Sequence, residues 1–148
     1  VLDALLVSER FKKLLPVFGS INVHDVLILI KGIKLYQYAF MFDLTVRLGP
    51  EVMTDLMRVW PRMESKNLTD DQGTEYSLFY RGSSGGMNEW RFNFSVTPGL
   101  NPDATVLTLE IPRLEIQERG RGSIQTPKDI LNGPWIFKLT LPPKEERE

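Results

Sequence analysis

Between residues 38 and 48 apolar side chains recur at every second position: Tyr38, Phe40, Phe42, Leu44, Val46 and Leu48 alternate with Ala39, Met41, Asp43, Thr45 and Arg47. Successive side chains of a strand point to opposite faces, so this spacing predicts a strand with one nearly all-apolar face. That face must be covered. Three later stretches carry the same alternation and can supply the cover: Trp90, Phe92, Phe94 and Val96; Leu107, Leu109 and Ile111; Trp135, Phe137, Leu139 and Leu141. A mainly β chain follows, with Phe42, Trp90, Phe94 and Trp135 expected to be buried together.

The 148 residues suffice for one domain with a sizeable core. Basic and acidic residues, 18 against 19, cancel to a formal charge of -1, which supplies no overall field for nucleic acid or an anionic membrane. No apolar run approaches the roughly 20 residues of a membrane-spanning helix. Cysteine is absent, excluding a disulfide framework, a thiolate metal site and a thiol nucleophile. The start at Val1, without an initiator Met or a signal-peptide pattern, suggests a processed or excised chain.

Ala4, Val7, Phe11, Leu14 and Leu15 share one face at helical spacing, with Glu9, Arg10 and Lys13 opposite, so residues 1–16 are expected to form an amphipathic helix ended by Pro16. Leu2, Leu5 and Leu6 lie off that stripe. They suit contact with a protein partner or a second copy of the chain, unless the helix simply covers an open end of the sheet. Residues 17–143 then form one β domain, and 144–148 a solvated tail. Residues 21–36 read as one extended segment, with Gly32 as a bulge or bend. A short turn near Gln37 pairs it antiparallel with the next strand.

After Gly49-Pro50, helical spacing of Val52, Leu56 and Val59 beside Met53 and Met57 predicts a short helical crossover closed by Trp60-Pro61. Asp70-Asp71-Gln72-Gly73 reads as a hairpin connection, with Gly73 at the positive-φ position. The glycine-rich residues 82–86 read as a loop before the strand at 89–97. Leu114 and Ile116 extend the strand at 105–111 past Pro112. Residues 119–129, with Arg119 and Arg121, form a basic excursion suited to an anionic partner. Gly133-Pro134 starts the last strand. Seven or eight strands with regular turn signals predict a two-sheet antiparallel sandwich.

The order of these pieces resembles the small Ig-like β-sandwich domains of unknown function in uncharacterised bacterial proteins, some of which lie outside the membrane segment of anti-sigma-factor-like proteins. The residues that carry the likeness are Gly32-Ile33-Lys34-Leu35-Tyr36, the alternation from Phe40 to Val46, Asp70-Asp71-Gln72-Gly73-Thr74-Glu75-Tyr76, the loop before Trp90, and Gly133-Pro134-Trp135-Ile136-Phe137. The resemblance covers residues 21–142. It implies an Ig-like fold, an extracytoplasmic place in a bacterial surface or envelope protein, and no catalytic residue. Paired cysteines of an immunoglobulin domain proper are missing.

Chemistry is sparse. His24 is the single histidine, and no Gly-x-Ser-x-Gly elbow accompanies it, so neither a multi-histidine metal site nor a serine hydrolase triad is expected. Asp43, Glu75, Glu89, Glu110 and Glu115 could offer a carboxylate pair for glycoside hydrolysis, yet all occupy polar slots of alternating strands. Asp70-Asp71 lacks the spaced ligands of a calcium loop and suits an Asx turn. The glycine-rich loop lacks the Lys-Ser/Thr of a phosphate loop. No cofactor or metal is expected. Trp60, in a connection beside Pro61, is the tryptophan most open to exposure, and with Tyr36, Tyr38, Tyr76 and Tyr80 it could form a stacking platform for sugars. The sequence therefore favours a noncatalytic interaction or sensing module. A carbohydrate-binding module is the first alternative and a small carboxylate-dependent hydrolase the second. The candidate partner-binding residues are Leu2, Leu5, Leu6, Trp60, Arg119 and Arg121.

Overall fold

The alternation in residues 38–48 becomes the centre of a five-stranded antiparallel sheet in a computed structural model of the chain, which describes residues 13–23, 25–49, 57–86, 88–118 and 127–147. The strands are β1 (Lys13–Val23), β2 (Val26–Leu35), β3 (Phe40–Leu48), β4 (Met57–Arg62), β5 (Leu68–Asp70), β6 (Ser77–Gly86), β7 (Glu89–Thr97), β8 (Val106–Glu118) and β9 (Pro127–Thr140). Short 3-10 turns occupy Ser65–Asn67 and Lys144–Arg147. The first sheet runs β1-β2-β3-β7-β6. In the second, β8 pairs with β9 along one side and with β4 and β5 along the other, and every pairing is antiparallel.

Phe40, Phe42, Leu44, Val46 and Leu48 are all buried, as the alternation requires. They share one core with Trp90, Phe92, Phe94 and Val96 of β7, Leu107, Leu109 and Ile111 of β8, and Trp135, Phe137 and Leu139 of β9. Phe42 stacks on Phe94, its direct cross-strand neighbour, at 5.6 Å between ring centres. The second sheet closes on β1 at Gly19, where an added Cβ would stand 2.7 Å from the Phe137 ring.

Several expectations are corrected. Lys13–Leu15 are strand rather than the end of a helix, and Pro16 lies inside β1 instead of stopping an element. Leu15, Val17, Ile21 and Val23 keep a period of two, and β1 tolerates Pro16 at the register shift between Leu15 and Phe18. The earlier part of the predicted helix, with Leu2, Leu5 and Leu6, lies outside the described residues. The single extended segment at 21–36 is two strands: β1 and β2 pair up to Val23 opposite Val26, with Asp25 at φ 61°. Gly32 is the predicted bulge, with φ 78° at the register shift between Ile30 and Ile33. Tyr38 is 61% exposed in the β2–β3 turn and does not belong to β3.

The predicted helical crossover is also revised. Met57 and Arg58 begin β4, which pairs Met57–Arg62 against β8, and residues 50–56 lie outside the description. Residues 82–86 are the end of β6 and pair with β7 back to Glu89, so the glycines form ladder rather than loop. Asp70 to Tyr76 crosses between the two sheets, since β5 belongs to one and β6 to the other. β8 passes Pro112 with a register shift there, as expected, and its partner β9 starts at Pro127, earlier than Gly133. The tail is pinned: Arg147 donates to the carbonyls of Asn101 and Ala104, Lys144 pairs with Asp103, and Lys13 Nζ donates to the Glu146 carbonyl.

Candidate functional site: an aromatic cleft at the β4–β6 edge

Alternation along β4 buries Val59 and Pro61 and turns Trp60 and Arg62 outward. Trp60 nevertheless ends half-buried. Because β4 lies at the edge of its sheet, the indole reaches across to the other sheet and meets Tyr80 of β6 at 4.9 Å and Phe92 of β7 at 5.7 Å, both edge to face. Tyr80 remains 45% exposed although it packs on Phe94 beside it. Together with Pro61, Met63 and Leu78 these rings line a cleft of about 270 Å³ at the mouth of the core.

Arg62 and Met63 also line an adjoining groove of about 530 Å³, continued by Lys66, Pro112, Arg113 and Glu115. Arg62 and Arg113 stand directly opposite each other on β4 and β8. Like charges so placed destabilise a sheet. Glu115, two residues along β8 and itself buried, offsets this through an ion pair with Arg62 at 2.7 Å. The Arg62 guanidinium and, more weakly, Arg113 hold the Glu115 carboxyl below the usual carboxylate range, although burial pushes the other way. Glu115 thus ion-pairs with Arg62 and acts on Arg113 at longer range, while Lys66 is engaged by Glu64 at 3.1 Å.

A second polar cluster locks loops together. Asp70 Oδ1 accepts from the backbone N–H groups of Gln72 and Thr74, each at 2.9 Å, and Oδ2 accepts from the Tyr76 hydroxyl at 2.8 Å. The Tyr76 oxygen in turn accepts from Asn101 N–H at 3.1 Å, tying residues 70–76 to the turn before β8. Asp71 accepts from the Thr105 N–H and hydroxyl and from Val106 N–H. Gly73 takes the expected positive φ, 75°. This is the Asx-turn role read from the sequence. Asp70→Ala is expected to cost about 2 kcal/mol in urea denaturation, because it removes a turn cap and leaves the Tyr76 hydroxyl short of an acceptor.

The cluster has a pH signature. Partial burial alone would raise the Asp70 carboxyl, but donation from Thr74, Tyr76 and Gln72 outweighs it and the group titrates below its ordinary value. Asp71 is lowered further, chiefly by the Thr105 hydroxyl and N–H. Groups with depressed folded pKa values contribute stability above their unfolded pKa, near 3.9 for Asp, and lose it as pH falls through the folded value. Tyr76 is pushed up to about 12, first by burial and then by Asp70, so its contribution holds below an unfolded value of about 10 and fades as pH climbs toward 12. Urea midpoints should therefore fall below about pH 4, and Asp71→Asn should flatten that acid limb.

The carboxylates considered for hydrolysis do not converge. Asp43 lies on β3, paired opposite Asn93; Glu110 lies on β8 of the other sheet; Glu75 is in the crossing loop. Glu89 is bound by its cross-strand neighbour Arg47 at 2.7 Å and lowered by that guanidinium. No cluster of three or more metal-ligating side chains occurs among the described residues. The tyrosines also separate: Tyr76 is buried, Tyr38 sits in a turn, and only Tyr80 joins Trp60. Of the sequence candidates, Trp60 lies in the cleft, whereas His24, Arg119, Arg121 and the N-terminal leucines fall outside the described residues. Sequence reasoning named Tyr80 beside Trp60 but missed Arg62 and Arg113, since no local pattern tells that β4 and β8 bring the two arginines to one opening.

The fold defines a mainly β chain of two antiparallel sheets around a shared core. It is similar to the crystal structure of the conserved domain protein from Bacillus anthracis, with TM-score 0.60 and 17% identity, over 84% of this chain and 48% of that one. The chain thus spans about half the length of that neighbour, and the likeness is one of fold. No family model and no curated protein matches the sequence. No helix among the described residues is long and apolar enough to cross a membrane.

Proposed function

We propose that this chain is a noncatalytic Ig-like β-sandwich module that acts by interaction or sensing, as part of a bacterial surface or envelope protein. The observation that carries the reading is the Trp60–Tyr80 cleft. It leaves aromatic surface open beside charged groups, a combination typical of recognition surfaces, where Trp, Tyr and Arg dominate binding energy. Dispersal of the carboxylates favours recognition over hydrolysis.

Carbohydrate binding is the second reading, since two aromatic rings remain partly accessible in one cleft. Their planes cross at 62°, whereas a sugar platform needs rings that present a common flat face. A glycan array separates the two. The interaction reading expects no glycan bound above background; binding that disappears on Trp60→Ala would overturn it in favour of a carbohydrate-binding module.

A further inference from the structure

We infer that the cleft and groove together take an extended, apolar and acidic peptide segment of a protein partner, with a large apolar side chain laid in the cleft against the touching rings of Trp60 and Tyr80 and a carboxylate beside Arg62 and Arg113. The inference rests on the interaction reading and names the chemistry of its partner. Two independent features meet at this place. The aromatic cleft and the charged groove share Arg62 and Met63, so one ligand can span both. The facing arginines are the second feature: Arg62 and Arg113 repel across the β4–β8 pair, and among the described residues Glu115 ion-pairs with Arg62. A carboxylate brought by a ligand relieves that repulsion and forms charge-assisted hydrogen bonds with guanidinium groups.

The shape favours a peptide over a small molecule. Binding pockets for small ligands enclose most of the ligand surface. Here Arg62, Glu64, Lys66, Pro112 and Arg113 are exposed, and the site is an open trough along strand edges. An extended chain fits such a trough, because its alternate side chains project the same way about 7 Å apart.

The test is selection of a phage-displayed random dodecapeptide library on the immobilised full chain. Enriched peptides are expected to carry an aromatic or large aliphatic residue with Asp or Glu within a few positions. They should bind Trp60→Ala and Arg113→Gln at least about tenfold more weakly, the loss typical of a central anchor. Arg113 is exposed, and its repulsion by Arg62 and its attraction to Glu115 oppose each other, so Arg113→Gln should leave the urea midpoint close to that of the parent and weaker binding cannot be assigned to unfolding. Enriched peptides that bind both variants as tightly as the parent would overturn the inference and leave the interaction reading standing. Enrichment of basic peptides, or none above the bare surface, would also overturn it. Failure of the interaction reading itself shows separately, as glycan binding on the array.

Discussion

Replacing Trp135 with alanine is expected to remove about 3–5 kcal/mol of stability, the cost of emptying a large, fully enclosed site. Trp135 is 0% exposed, lies between the two sheets on β9, and donates its indole N–H to the Val26 carbonyl at 3.3 Å across the core. The loss therefore combines a cavity with a broken contact between the second sheet and β2. Trp135→Phe keeps most of the volume and is expected to cost about 1–2 kcal/mol less than the alanine change. Urea denaturation followed by far-UV circular dichroism measures both. A cost below about 1 kcal/mol for Trp135→Ala would mean that the two sheets do not share this core.

Phe42→Ala is expected to be of the same size, about 3–5 kcal/mol, and for a related reason. Phe42, on β3, is 6% exposed and stacks on Phe94, so truncation removes both buried area and an aromatic pair. Because Phe42 belongs to one sheet and Trp135 to the other, each variant should lose its circular dichroism in a single transition. Two separated transitions in either variant would show that the sheets unfold independently.

How much of this was legible in the sequence depends on the range of the interactions involved. Strict alternation placed β3, β7 and the inner face of β9 correctly, because period two is a local consequence of strand geometry. Glycine chemistry found the bulge at Gly32 and the turn at Gly73 for the same reason. The errors arose where short apolar runs fit two periods. Leu14 and Leu15 satisfy a helical stripe and also open the alternation Leu15, Val17, Ile21, Val23, and tertiary pairing with β2 decides for strand. Shortening the chain to begin at Val17 would therefore remove Leu15, which is 0% exposed, from the core rather than trim an appendage.

The candidate site was half legible. Trp60 stood out because the residues beside Pro61 read as a connection, although they are strand β4. Tyr80 stood beside it as one of four tyrosines, but that Tyr80 and Phe92 are the rings it meets follows from the approach of two sheets whose strands are distant in sequence. Arg62 and Arg113 likewise become a pair only through the β4–β8 register.

The most direct test of the account is a two-dimensional amide spectrum of the labelled chain, recorded while a peptide selected on it is added. The Trp60 indole signal and amide signals along β4 and β6 are expected to move, with the Trp135 indole unchanged. Movement confined to β1 and β9, with the Trp60 indole unmoved, would contradict it.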